Sequence, residues 1–472
     1  MVACRAISAE WGRLDQMVGF NFVGSDLDQG FLLPPDMREW LDPGDLAFFV
    51  LDAVAQFDLS GFEAGYRGDG RGGAAYQPQM MVGLLLFAYC EGVKSSRQIE
   101  RRCVRDVAYR VLTGNRQPDH ATIARFRDRH QAELAAVFVQ VLRLCAQAGL
   151  VRVGLVALDG TKLRADATSL KNYDAARADK AIGRLEEQVA ELLVAAGSAD
   201  AAEDAAEPDP PSTTEMAERL RDRQRRLAAL QQAKKRLDEQ AVEAQRVQDQ
   251  RRIEWEKRRV GLPPAEKPPQ EALTRLRTNL TDPDSRILRV AGGYVQGFNA
   301  QAVVTQEQVV VAAEVVQDAT DVDSYHPMLD AARDMLDQAG VSAPVEAVVA
   351  DAGYASKRNR TTTRKPGDDP TPLVAMRRPG GKKLPDGSDP PNLQLLTDPT
   401  LQQMKQRLES EEGRLLYARR KVMVEPVFGQ MKQRSGPRLQ HRGQPKVAVE
   451  WKMMASAHNL LKLWRFQPVQ PI

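Results

Sequence analysis

Val151-Arg-Val-Gly-Leu-Val-Ala-Leu158, ended by Asp159-Gly160-Thr161, is the stretch on which the reading of this 472-residue chain turns. Its β-branched and aliphatic residues predict a buried strand, and Asp-Gly predicts the turn that follows. A second such stretch, Val345-Glu-Ala-Val-Val-Ala350, also stops at an acid, in Asp351-Ala-Gly353-Tyr354. Between them, Gly293–Val304 and Gln308–Val316 read as neighbouring strands, antiparallel because Thr305–Glu307 is a short connection. A helix is expected over Tyr325–Gln338, with Met328, Leu329, Ala332, Met335 and Leu336 inward, and a further strand over Pro372–Met376. Sheets flanked by helices place their chemistry at strand ends, where backbone direction is set and solvent can enter. An aspartate there is often only a turn-former or a cap. Asp166, Asp318, Asp321 and Asp323 are also available, and spacing alone does not choose among them.

Upstream, residues 1–150 read as helical. Pro78 suits the first turn of a helix through Met81, Leu84, Leu85 and Ala88, with Gly92 to end it. Ser95 with Gln98 has the spacing of a capping box for a short basic helix, Arg97–Cys103. A helix, a glycine turn and a basic second helix are consistent with helix-turn-helix geometry, as with any helical bundle. Asp119 is expected to cap one longer helix carrying Ile123, Phe126, Leu134, Val137, Val141 and Leu144. Residues 174–269 look like an insertion and linker. One helix uses Ile182, Leu185, Val189 and Leu192, another Leu220, Leu227, Leu230 and Leu237, close to a heptad seam. Aperiodic sequence over Gly197–Ser212 separates them, and Gly261–Pro269 reads as a stiff linker. An antiparallel hairpin is the simplest picture, with a coiled coil between subunits equally open. Pro379–Pro391 reads as a loop, and the chain from about Leu401 as helical and basic.

The chain is 43% hydrophobic and 27% charged, ordinary for a globular protein. Its net charge of +3 hides a bias: Arg414–Phe466 holds twelve Lys/Arg against Glu425 and Glu450, a local +10 that predicts a polyanion-binding surface. Glu91–Arg143 holds eleven against six acids, enough to touch phosphates. None of Cys4, Cys90, Cys103 and Cys145 forms a CxxC pair, and Cys90 and Cys145 sit in apolar helical patterns. His120, His130, His326, His441 and His458 lack metal-ligand spacing and read as helix surface, helix ends or DNA contacts. Trp451 and Trp464 read as core residues of a C-terminal helix. No signal peptide and no span long enough for a bilayer are read, so a cytoplasmic, nucleoid-associated protein is expected.

Three acids on a rigid frame suit the cutting of a phosphodiester, because hard divalent cations take carboxylate oxygens. A pair of such ions about 4 Å apart activates the nucleophile and stabilises the leaving oxygen. Five segments, in order, resemble bacterial insertion-sequence transposases with an RNase H-like DDE catalytic domain. They are Ala157-Leu-Asp-Gly-Thr-Lys162, Tyr294-Val-Gln-Gly-Phe-Asn-Ala-Gln301, Val349-Ala-Asp-Ala-Gly-Tyr354, Val424-Glu-Pro-Val-Phe-Gly-Gln-Met-Lys432 and Ala457-His-Asn-Leu-Leu-Lys462. The family spaces Tyr, Arg, Glu and Lys as Y-x2-R-x3-E-x6-K. Glu425 and Lys432 keep that spacing, whereas Tyr417 and Arg420 lie one residue upstream and Lys421 takes the arginine place. Because Pro426 disfavours a helical residue before it, Glu425 is expected at a helix start or kink.

The resemblance implies an α/β fold: an RNase H-like mixed sheet flanked by helices (151–173 and 270–466), an all-helical DNA-binding domain (1–150) and the helical insertion (174–269). It implies Asp159, Asp351 and Glu425 as the catalytic triad, holding two Mg²⁺ ions, with Mn²⁺ as a substitute. Lys432, Arg434, Arg438, Arg442, Arg420 and Lys421 are expected on DNA. The partners implied are double-stranded DNA, as terminal inverted repeats and as target, and a second copy of the chain. Cleavage by water followed by attack of the freed 3′-hydroxyl on target DNA is the implied reaction. A nuclease that cuts without joining, a DNA-binding regulator without catalysis, and a coiled-coil scaffold are the other readings.

Overall fold

The computed structural model of the protein describes residues 36–66, 74–203, 213–258, 265, 276–361, 370–376 and 398–466. The loop read at Pro379–Pro391 and Cys4 lie outside the described residues, as does nearly all of Gly261–Pro269. The chain divides into two compact units, 1–42 and 43–472. In the first, the described residues form one 3-10 turn, Met37–Trp40, capped by Asp36. The second holds all the other described elements.

Its first helices are α1 Leu46–Val54, α2 Pro78–Cys90, α3 Ser96–Arg105, α4 Val107–Thr113, α5 His120–Arg129 and α6 Gln131–Gln147. Every residue of α2 from Met81 to Cys90 is buried, as expected of a helix apolar all round. In α3, Ile99 and Cys103 turn inward. Ser95 stands at its N-cap without a side-chain cap bond, so the expected capping box does not form. Asp119 does cap α5, accepting from the Thr122 N–H at 2.8 Å. The one long helix expected beyond Asp119 is two, broken at His130. The backbone leaves helical geometry there, at φ −111° and ψ 41°, and the buried imidazole packs among Phe62, Tyr66 and Phe126, which an apolar periodicity running through both halves cannot register.

Six strands form one sheet: β1 Leu155–Arg164, β2 Arg286–Val290, β3 Gly293–Thr305, β4 Val310–Val316, β5 Ala347–Ala350 and β6 Thr371–Val374. Their order is β2-β3-β1-β5-β6, with β4 also on β3. The first half of β3 pairs with β2 and the second with β4, both antiparallel. On its other side β3 runs antiparallel to β1, and β1 and β6 run parallel to β5. This is the expected mixed sheet, with one strand more than expected, but the turn expected at Asp159-Gly160-Thr161 does not form: β1 begins at Leu155 and runs on to Arg164, because β3 pairs with it from Val156 to Arg164. Residues 286–290 enter β3 through Gly292 and Gly293 at φ 87° and 153°, a glycine hairpin.

The insertion leaves β1 as α7 Ala175–Glu203 and α8 Thr213–Arg258. Leu185 and Leu230 are buried between them with Ala178 and Tyr173. Lys234 pairs with Asp179 and Arg223 bonds Gln188, so the two helices run antiparallel as a hairpin within the chain. The helix continues through Gly197 to Glu203, further than the aperiodic sequence suggested.

α9 Tyr325–Gln338 packs on β3 and β4. α10 Pro399–Glu409, α11 Glu411–Ser435 and α12 Gln444–Phe466 follow. α12 packs against β4, α6 and α2 at once, which explains why every residue from Met453 to Leu461 is buried. Buried Asn459 takes both backbone groups of Val310, at 2.9 and 2.8 Å. His458, expected on a surface or on DNA, is buried instead. It donates to the Gln308 carbonyl, and burial lowers its pKa to about 4, so it is neutral. Glu450 is no solvated acid either: it accepts from the backbone of Gln440 and His441 and pairs with buried Lys94 at 3.3 Å. Gly92, just past α2, lets the chain there lie against the C-terminal end of α11. Its φ is +76°, and a Cβ there would collide with the Arg434 carbonyl.

Candidate active site

β1 and β5 run parallel with Leu158 opposite Ala350, so the next residues, Asp159 and Asp351, come from neighbouring strands and lie near enough for their charges to interact. The Asp351 carboxylate caps the 3-10 turn Ala352–Tyr354, accepting from the Gly353 N–H at 2.8 Å. Asp159 accepts from the Gly160 N–H at 2.8 Å through Oδ1. Its Oδ2 lies 2.7 Å from the guanidinium of Arg420, whose other nitrogen is 3.4 Å from Glu425. Burial pushes the Asp159 pKa up to about 6; Arg420 and the Gly160 N–H pull it down, and Asp351 and Asp321 push it further up.

Glu425 does not begin a helix, one of the two positions Pro426 suggested; α11 runs from Glu411 to Ser435 through both residues. The expected help from a helix N-terminus is therefore missing. Proline cannot donate to the carbonyl of Val422, four residues back. That carbonyl accepts from the Gln308 side chain at 2.8 Å, and Gln308 accepts in turn from Lys462. A tertiary contact thus satisfies the acceptor that proline leaves in mid-helix.

The expected basic residues have different surroundings. Arg420 binds the acids, although it lies one residue off the family spacing, and Tyr417 lies against it with its phenol pKa raised by burial. Lys432 is half-buried near Asp159; burial lowers its pKa and Asp159 raises it. Arg434 is half-buried beside Cys90 and packs its backbone on Gly92. Arg438 and Arg442 close on Asp166, at 2.6 and 2.7 Å, so much of their charge is answered within the chain. Lys446 pairs with Asp128 and Lys452 with Glu314, which reduces the local +10 further. Lys421 is exposed.

One cluster at the site carried no role in the sequence. Asn299 and Gln301 of β3, Lys162 of β1 and Asp321 before α9 form a hydrogen-bonded group beside the two aspartates. The segment Tyr294–Gln301 marks the amides, yet nothing along the chain ties them to Asp321.

The donor types suit a divalent metal. Asp159, Asp351 and Glu425 offer hard oxygens, and a guanidinium already spans two of them where positive charge is in demand. Among the described residues no three acidic, histidine or cysteine side chains stand close enough together to form a ready-made metal group. The Arg420 guanidinium lies between Asp159 and Glu425.

Residues 36–129 match a family model described as a transposase domain (DUF772), and residues 392–464 match one described as a transposase DDE domain. The second range includes Glu425 and Lys432; Asp159 and Asp351 lie outside both. No curated protein and no solved structure matches the chain. No helix among the described residues is long and apolar enough to cross a membrane.

Proposed function

We propose that this chain, two segments of which match transposase family models, is an insertion-sequence DDE transposase that cuts the ends of its own element and joins them to target DNA through Asp159, Asp351 and Glu425. The observation that carries this reading is the placement of Asp159, within β1, on the strand beside the one that ends at Asp351, with Arg420 linking Asp159 to Glu425.

The three carboxylates would hold Mg²⁺, which when bound supplies an activated nucleophile and neutralises charge on the leaving oxygen. Arg420 keeps two of the acids charged and close until the metal and DNA arrive, then turns to a phosphate. Lys432, half-buried near Asp159, faces the same backbone. Lys421 adds an exposed phosphate contact. Water first attacks the phosphodiester at the element's end and frees a 3′-hydroxyl; that hydroxyl then attacks target DNA and expels another 3′-hydroxyl. The helices of the N-terminal region (within 1–150) recognise the terminal inverted repeat, the sheet with its flanking helices (within 151–173 and 270–466) performs the chemistry, and a dimer holds two ends together. Residence at the nucleoid follows.

The test is cleavage and strand transfer on labelled DNA carrying the element's end, with and without Mg²⁺. Wild type is expected to cut and join only with metal. Asp159→Asn, Asp351→Asn and Glu425→Gln are expected to bind DNA and do neither. Variants that match wild type move the site to other acids. Cutting without joining makes the protein a nuclease, and binding without cutting makes it a regulator.

A further inference from the structure

We propose that Gln301 is a positioning residue for the Asp159–Asp351 pair, an inference that rests on the reading of those two acids given above. The backbone ladder between β1 and β5 stops at Leu158 and Ala350. Past that point strand pairing no longer sets where Asp351 stands relative to Asp159, and side-chain ties must.

Gln301 supplies them. It lies on β3 directly opposite Gly160, the residue after Asp159, and is fully buried. A Cβ on Gly160 would collide with its Nε2, so the glycine leaves room for the amide. Both ends of the amide are used. Its Oε1 accepts from the hydroxyl of Tyr354, the fully buried residue that ends the turn Asp351 caps. Its Nε2 donates to Asp321 Oδ1 at 2.8 Å and to Asn299 Oδ1 at 2.9 Å. Asp321 Oδ1 also accepts from Asn299 at 2.7 Å and pairs with Lys162 at 3.0 Å. Asn359 closes the group, donating to the carbonyls of Val322 at 2.7 Å and Tyr354 at 2.8 Å.

The segment bearing Asp321 and the turn bearing Asp351 are thus both fastened to β3, the strand that also pairs with Asp159. A methionine could fill the same space without needing partners. A buried amide is tolerated only when satisfied, and this one is satisfied by the groups that frame Asp351. Fixing ligand orientation in this way is commonly worth about 10–100-fold in metal affinity.

The test is calorimetric titration of the full-length protein with Mn²⁺, alongside thermal unfolding and binding of end DNA. Tyr354→Phe removes one hydroxyl and leaves the packing; Gln301→Met removes the amide. Each is expected to weaken Mn²⁺ binding about 10-fold or more with DNA affinity unchanged, and the double variant no more than the worse single one. If both bind Mn²⁺ within about twofold of wild type while Asp159→Asn abolishes binding, the positioning role is wrong and the site reading stands. If Asp159→Asn and Asp351→Asn also bind Mn²⁺ like wild type, the site reading itself fails. Equal losses of Mn²⁺ affinity, DNA affinity and melting temperature make Gln301 a packing residue and overturn the inference. Should Gln301→Met not fold, Tyr354→Phe decides alone.

Discussion

Gln308 donates its side-chain amide to the carbonyl of Val422, the acceptor that Pro426 leaves vacant one residue past Glu425. The helix carrying the third acid is therefore held partly by a turn of the sheet. Proline in a helix interior costs up to about 3 kcal/mol relative to alanine, and this outside bond offsets part of it. Pro426→Ala is expected to raise stability by about 1–3 kcal/mol in a denaturant titration and to slow DNA cleavage, because the helix around Glu425 re-forms its own ladder. Lower stability would mean that proline is not a strained residue here.

Arg420 competes with metal for Asp159 and Glu425. Arg420→Gln is expected to bind Mn²⁺ at least as tightly as wild type at pH 8, yet to cut DNA at least about 10-fold more slowly for want of a phosphate contact. Weaker Mn²⁺ binding in the calorimeter would show that the guanidinium orders the acids rather than standing in for a cation.

Burial raises the Asp159 pKa from 3.8 to about 6. The folded protein therefore holds this proton more tightly than the unfolded chain does. The resulting stability is fully present below about pH 4 and is lost as pH rises to about 6, with about 3 kcal/mol as an upper bound. Asp159→Asn has no such titration. Metal-free wild type is expected to lose stability relative to this variant between pH 4 and about 6.5, measured by urea unfolding. Parallel pH curves would refute the raised pKa.

Asp166 holds Arg438 and Arg442 in a fork. Asp166→Asn is expected to free both for phosphate, strengthening DNA binding several-fold and steepening its salt dependence by about one to two in log–log slope. An unchanged slope in salt titrations would place these arginines away from DNA.

Glu450 and Lys94 form a buried pair. Glu450→Gln leaves the lysine's charge inside with a weaker partner and is expected to cost about 3–5 kcal/mol of stability, read from chemical denaturation. A loss under about 1 kcal/mol would mean that water reaches Lys94.

The strand before Asp351, the existence though not the end of the strand that holds Asp159, the α9 helix and the hairpin of α7 and α8 were legible from the chain, because alternation and heptad spacing are local records of which face meets water. Folding decided what those records cannot hold. Asp159 and Arg420 are 261 residues apart, and only the placement of α11 over β1 makes them a pair. Arg438 and Arg442 looked like free positive charge until Asp166 lay beneath them. His130 read as a helix end, which it is, but that reading did not show the aromatic rings around it, nor was the backbone carbonyl that receives His458 visible in the sequence. Gln301 was one amide in a strand until Gly160, Tyr354 and Asp321 closed around it. The physical reason is common to these cases: hydrophobic period sets each segment's inner face, whereas the state of a charge or buried amide depends on partners that arrive from elsewhere in the chain.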